Sequence, residues 1–579
     1  EREEREARRH RRMGRYSRPE RARPCRGWGC NLRVQLGLEG FYSADMTFIR
    51  DLANLKGSVL PNTSLLREPL TKTSYFTHHL RMEPNLSVGK LATLYLRMDG
   101  VQHVVWGDND ARAQSSLFAG SPTNTSDYGE QVASFQLVWA WLDLDLKLGK
   151  LRVGRMPSHW GMGLLSNGGG DLAQTRGGVD DDFADNRHPS IYDRILFATK
   201  PLQVIKTIAK AKDPTSNLLV AYAYDRLVEE PYWKDISLEG QRAYGESAFL
   251  SRQLNNVDEH VLVIAYSDPK FLSQVRSLDA WKDKSLTAGV YAVYRRQGRL
   301  DRILRYNVDG SSTYAAYDCE GANPPPACGA RSKIGIVDPY LRLRLGPILL
   351  ETESYFIFGK TEPGRGIPIG SEVGKALIYG WVTRAGYSPM KKMELLLDLG
   401  QASGDKVYGN EVFRQRAMHP DYVPGLILYR MFLRERSATA LAQSLNSNVA
   451  GVPTPSRGLQ SNGGVLNSYF LYPRMLWAIH PMLTLKVALL SAWSHRPEQY
   501  LYRVTGCEKG VKGASCRLTD NHIGTEVDVG VDVRWGGVPG IEHLFFRFDM
   551  GYLVFGKQVA SDYDAPGVFA LRMRLMFVF

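Results

Sequence analysis

Hydrophobic and polar positions alternate along most of this chain with a period of two. The last thirteen residues, GVFALRMRLMFVF (567–579), show it most plainly. Phe569, Leu571, Met573, Leu575, Phe577 and Phe579 fall on one face of a strand. Val568, Ala570, Arg572, Arg574, Met576 and Val578 fall on the other. Successive side chains of a strand point to opposite faces, so one face is wholly apolar and the other carries two arginines. In a soluble sheet the apolar face would cover a core. In a transmembrane barrel it meets lipid, and the arginines line a wet lumen. The chain ends within this strand, on an aromatic residue. An open terminal strand so apolar would be an aggregation edge, and barrel closure removes the edge.

The same alternation recurs in segments of about eleven to fifteen residues, joined by very short turns and longer polar loops in alternation. Eighteen strands are predicted, near 32–46, 73–82, 90–106, 132–146, 149–160, 190–203, 217–228, 257–267, 286–297, 334–345, 348–358, 376–387, 392–401, 467–479, 483–493, 524–535, 543–555 and 567–579. The stretch EPNLSVG (83–89) reads as a turn between the second and third. Eighteen is even, so both chain ends fall on one side, as in single-chain bacterial barrels. Long loops are expected at 161–189, 298–333, 402–466 and 496–523 on the opposite side. The expected fold is all-β: a transmembrane antiparallel barrel spanning residues 31–579, preceded by a flexible basic segment, 1–30.

Composition agrees. Of 579 residues, 44% are hydrophobic and 23% charged, which excludes disorder by composition. No run of eighteen apolar residues exists, so no transmembrane helix is expected. The 21 Phe, 29 Tyr and 11 Trp suit aromatic girdles. Of the net charge of +13, the first thirty residues contribute eleven arginines against five glutamates. Nothing after that tail resembles a nucleic-acid fold, so no nucleic-acid partner is expected. No 20–50-residue repeat speaks for a propeller or solenoid.

With the C-terminal aromatic strand on the periplasmic side, the chain resembles bacterial outer-membrane proteins. More narrowly, the segments GTEVDVGVDVRW, FFRFDMGYLVFG and LRVGRMPSHWGMGLLS resemble the alginate-export family of outer-membrane porins. The resemblance implies an 18-stranded barrel passing an anionic exopolysaccharide through an arginine-lined pore constricted by loops. This chain departs from that pattern in its cysteine pairs, its loop at 402–466 and its many inward carboxylates.

The alternation sends a set of cations inward: Arg81, Arg97, Lys150, Arg152, Arg342, Arg344, Arg384, Arg474, Arg534, Arg547, Arg572 and Arg574. A ring of such groups in a pore favours anions. The opposing reading pairs them across strands with Asp143, Asp145, Glu351, Glu353, Glu394, Asp398, Asp528, Asp532 and Asp549, which is ordinary barrel lining. The sector of Arg572 and Arg574 reads as the more basic, beside Arg547 and a first strand containing Arg33. Six cysteines form three close pairs: Cys25 with Cys30, Cys319 with Cys328, and Cys507 with Cys516. Spacings of five and nine residues in Gly/Pro-rich segments fit loop disulfides and an oxidising compartment. The Gly-rich stretch holding Asp171, Asp180, Asp181, Asp182 and Asp185 is a candidate calcium site, an ordinary solvated acidic loop, or a loop folded inward as a constriction. No other cofactor is expected. No hydrolase elbow, zincin, P-loop or dinucleotide fingerprint is present, so the chain is not read as an enzyme.

The reading is a channel in the bacterial outer membrane, with the lipid bilayer and a polar or anionic solute or polysaccharide as partners. Its alternatives are a general or substrate-specific diffusion porin, and a loop-plugged, non-conducting barrel acting as adhesin or structural partner. For the last, the helix-like PGLILYRMFLRERSATALAQSL in the loop at 402–466 is the candidate plug.

Overall fold

The computed structural model describes residues 34–52, 72–89, 91–107, 135–169, 183, 189–211, 215–227, 257–267, 284–297, 302–305, 315–318, 332–361, 374–404, 412–434, 436, 461, 463–496, 520–538, 541–560 and 563–579. Eighteen long strands form one antiparallel sheet. They are Val34–Arg50 (β1), Lys72–Val88 (β2), Ala92–Gly107 (β3), Phe135–Leu146 (β4), Gly149–Pro157 (β5) and Ile191–Thr199 (β6). Next come Leu218–Leu227 (β7), Val257–Ser267 (β8), Lys284–Gln297 (β9), Ser332–Leu345 (β10), Ile348–Thr361 (β11) and Gly374–Met390 (β12). Met393–Ala402 (β13), Ser468–His480 (β14), Leu483–Ser494 (β15), His522–Val538 (β16), Ile541–Phe555 (β17) and Gly567–Val578 (β18) complete it.

Each strand pairs with the next, and β18 pairs with β1 from Phe41↔Val578 to Arg50↔Phe569, which closes the sheet. Gly40 and Phe579 exchange both backbone hydrogen bonds at this seam, at 2.9 and 3.0 Å. The terminal strand thus has no free edge. Closure pairs the backbone of each strand on both sides, the condition for crossing hydrocarbon.

The period of two becomes an inside and an outside. Along β12 buried and exposed residues alternate almost without a break. The outward set is large and apolar: Ile195, Tyr222, Ile264, Phe356, Phe358, Leu377 and Val527 are all exposed. A closed barrel, apolar outside and charged within, is an outer-membrane architecture, and this protein is an outer-membrane β-barrel. Tight turns at 147–148, 346–347, 391–392 and 481–482 mark the periplasmic end, and the long connections lie at the other.

Two local readings change. Residues 83–88, expected in a turn, continue β2 opposite Val34–Glu39, and Gly89 (φ 59°) makes the reversal instead. Beyond β6, the expected strand stops because Pro201 starts a helix, Pro201–Ile208 (α1). Proline fixes φ and lacks the donor a strand would need, yet it suits the first helical turn.

Several expectations fall on residues outside those described. The basic segment 1–30 is one. The expected disulfide partners are another: Cys25 and Cys30, Cys319 and Cys328, and Cys507 and Cys516 all lie outside the described residues. So do the calcium candidates Asp171, Asp180, Asp181, Asp182 and Asp185.

Candidate functional site: a charge-matched lumen narrowed by two clasped loops

The predicted inward cations are engaged by carboxylates and aromatic rings. Arg81 grips Asp99 with two bonds, at 2.8 and 3.0 Å, and Arg152 grips Asp143 at 2.6 and 2.9 Å. Lys150 reaches Asp143 (3.4 Å) and Asp145 (3.3 Å). Arg97 donates to Glu83 at 2.5 Å while its guanidinium lies 3.4 Å over the Trp139 ring. Arg342 reaches Glu351 at 3.5 Å, and Arg344 reaches Glu394 at 3.1 Å. Asp398 serves two arginines, Arg384 with a two-bond grip and Arg474 at 2.9 Å. Arg547 grips Asp532 at 2.8 and 3.0 Å. Arg534 packs over the Phe545 ring at 5.4 Å.

The β18 sector is matched as well. Arg572 takes Asp549 at 2.6 Å, and Arg574 takes Asp45 of β1 at 2.6 and 3.1 Å. The register sets Asp45 directly opposite Arg574. Arg33 lies outside the described residues, so the neighbour that decides this sector's charge is an acid. The sequence reading also passed over Arg155–Asp193, Arg194–Asp225, Arg295–Glu259 and the buried Lys486, which sits 3.2 Å from both Asp532 and Asp549. Arg194, Asp225, Arg295, Glu259 and Lys486 are inward by parity in strands already assigned, whereas Arg155 and Asp193 share the outward face with Ile195 and Arg226.

The lumen is also narrowed. Residues 158–169, after β5, fold inward across the wall of β9 to β11. Trp160 donates from its indole nitrogen to the Asp338 carbonyl at 3.0 Å and stacks on Tyr291. Glu353 of β11 accepts the backbone N–H of Leu164 at 3.0 Å and that of Met162. Gly161 (φ 56°) permits this approach, because a Cβ there would lie 2.4 Å from the Glu353 carboxylate. Further along the same connection Phe183 reaches the far wall. Its carbonyl accepts from Arg572 at 2.6 Å, and its ring packs against the Lys486 ammonium.

The second loop follows β13. Residues 418–433 lie inside the barrel, with Leu426, Ile427, Leu428, Tyr429, Met431, Phe432 and Leu433 all buried. Glu526 of β16 accepts three successive N–H groups, from Leu426 (2.6 Å), Ile427 (2.6 Å) and Leu428 (2.7 Å). They open a single π-helical turn, Leu428–Leu433, within the helix-like stretch, of which residues 435 and 437–445 lie outside those described. Small inward residues on the upper wall, Ala488, Ala492 and Ala570, leave room for it. Phe432 packs against Phe555 and Tyr563. The loops meet where the His419 N–H donates to the Leu164 carbonyl at 2.7 Å. Among the described residues no group of metal-ligating side chains assembles.

No protein-family model matches the chain, and no curated protein does. Solved porins resemble it in shape. OccK9 (OpdG) of Pseudomonas aeruginosa is 11% identical, covering 94% of this chain and 98% of its own, with a TM-score of 0.44. The BenF-like porin of Pseudomonas fluorescens Pf-5 is 10% identical over 94% and 98%, TM-score 0.44. OccK2 (OpdF) of P. aeruginosa, solved in complex with glucuronate, is 10% identical over 94% and 98%, TM-score 0.41. Nothing about solute or specificity follows from likenesses this distant.

Proposed function

We propose that the protein is a passive channel for small polar solutes, with a mild preference for anions. The observation that carries the preference is an asymmetry within several ion pairs. In them the cationic side chain reaches water and its carboxylate does not: Arg152 is 33% exposed against 4% for Asp143, and Arg295 is 20% against 1% for Glu259. Arg342 against Glu351 shows the same order. Arg97 against Glu83 and Arg344 against Glu394 run the other way, which keeps the preference mild. A carboxylate on a short stem stays near the wall, whereas a guanidinium extends past it. The wall is therefore matched in charge but presents planar cationic donors to a passing solute. The expected solutes are small molecules bearing carboxylate or phosphate groups.

Nothing in the described lumen points to alginate export. A polyanion would need unmatched cations stacked along its path, and here most of the described inward cations are held by wall carboxylates. A second reading has its own support in the burial of residues 418–433: a barrel shut by its loop.

Single-channel recording of the refolded protein under a tenfold KCl gradient tests both. The expected result is a stable conductance whose reversal potential lies on the chloride side and moves toward zero in the double variant Lys150→Gln with Arg152→Gln. A folded barrel that never conducts would overturn the channel reading in favour of the shut barrel.

A further inference from the structure

The outward face is not apolar throughout. Arg226 of β7, Asp258 of β8, Arg296 of β9, Lys333 of β10, Lys360 of β11 and Lys375 of β12 stand in one register, each directly opposite the next. They lie toward the long-loop ends of their strands. Arg226 meets Asp258 at 3.4 Å. Arg296, Lys333, Lys360 and Lys375 are exposed and form no ion pair among the described residues. Directly opposed side chains in a sheet stand about 4.5–5.5 Å apart at Cβ, and like charges there repel. Four adjacent cations facing out of a membrane protein are unfavourable unless an anion lies across them.

The rows below say what kind of anion. Two residues nearer the membrane centre, the same strands carry Tyr294, Gly335, Phe358 and Leu377, again in register. The Phe358 ring lies over Gly335, where a Cβ would come within 2.7 Å of it. Phe356 is exposed below that. Cations, then aromatics, then apolar groups is the order of chemistry met from headgroups to acyl chains. Lysine stems lie along such a surface and lift the ammonium to headgroup level.

We propose that Arg296, Lys333, Lys360 and Lys375 form a binding site for the phosphorylated sugar headgroup of the outer-leaflet glycolipid, a lipid A. The site is at the long-loop end, so it faces the outer leaflet. Four strands at the usual 4.7–4.9 Å spacing set the outermost cations about 14 Å apart. That span suits a disaccharide phosphorylated at both ends better than a headgroup with one phosphate. The acyl chains then cover Phe358, Phe356 and Leu377.

Native mass spectrometry of the full chain in detergent, titrated with diphosphoryl lipid A, monophosphoryl lipid A or phosphatidylglycerol, tests this. The wild type should bind diphosphoryl lipid A at least tenfold more tightly than the other two. The triple variant Lys333→Gln, Lys360→Gln, Lys375→Gln should weaken that binding on the order of 100-fold, about fivefold per lysine. Lys147→Gln, in a periplasmic turn, should leave it unchanged. Heat-dependent gel migration checks that the triple variant is folded, and the single Lys360→Gln, expected about fivefold weaker, stands in if it is not. Equal binding by wild type and triple variant, equal weakening by Lys147→Gln, or phosphatidylglycerol binding as tightly would each overturn the assignment. The readout is lipid binding, so its failure leaves the channel reading untouched, and the triple variant should conduct as the wild type does.

Discussion

Replacing Glu526 with alanine should loosen the loop at 418–433 without unfolding the barrel. Glu526 is the acceptor for three buried N–H groups, those of Leu426, Ile427 and Leu428, at 2.6, 2.6 and 2.7 Å. A buried donor left without a partner costs about 1–3 kcal/mol. Three such donors sum to about 3–9 kcal/mol, and local rearrangement recovers part, so about 4 kcal/mol is a working figure. At 1.4 kcal/mol per decade, the ratio of docked to undocked loop falls on the order of 1000-fold. The apolar grip of Phe432, Met431 and Leu433 remains, at about 1.5–3 kcal/mol per buried side chain, so the loop stays docked most of the time. Trypsin cleavage at Arg430 and Arg434 reports the undocked fraction when opening is fast relative to cutting. The rate should rise at least 100-fold in Glu526→Ala, with added current noise. Glu526→Gln should fall between, because its amide keeps one accepting oxygen. Cleavage and noise both at the wild-type level would show that the clasp contributes nothing to docking.

Three further outcomes follow from individual residues. His419 is buried in the same loop, accepts the Asp421 N–H on Nδ1 at 3.1 Å, and is pushed down to about 3 by burial and then by Arg416 and His159. The undocked histidine takes a proton near pH 6.5 and the docked one does not, so docking is fully stable above 6.5 and weakens as pH falls toward 3. The loss is about 2 kcal/mol at pH 5, and tryptic cleavage should accelerate there in the wild type but not in His419→Gln. Asp45→Asn removes the carboxylate that grips Arg574 and should move the reversal potential further toward chloride, while Asp45→Asn combined with Arg574→Gln should restore it; no difference between the two would refute the pairing at the closing seam. Asp398→Asn removes the carboxylate that Arg384 and Arg474 share, leaving Arg384 its longer contact with Glu351 at 3.7 Å, and should cost about 3 kcal/mol, read as a lower urea midpoint in lipid vesicles, whereas an unchanged midpoint would mean water already screens that site.

Much of the lining was legible because inward and outward follow from parity alone. Arg97, Arg384 and Arg547 could be placed inside by counting along their own strands, and the structure has them buried there. The charge of a sector was not legible, because it depends on the neighbour. Arg574 is matched by Asp45, 529 residues away, and only the register of the closing seam brings them together. Glu353 looked like one more lining carboxylate, and Glu526 shares a strand face with Asp528 and Asp532. Nothing local marks them as acceptors for loop amides 189 and 98 residues distant in the chain.

By itself the sequence determined which segments form strands, their even number and, along each regular run, which residues share a face, because alternation with period two is a property of neighbouring residues. The tertiary structure alone decided which arginine meets which acid, that the loops after β5 and β13 turn into the lumen and touch at His419 and Leu164, and that Arg296, Lys333, Lys360 and Lys375 fall side by side. Those depend on how strands align with their neighbours, across turns, long connections and the closing seam, and the alternation within a single strand does not contain that alignment.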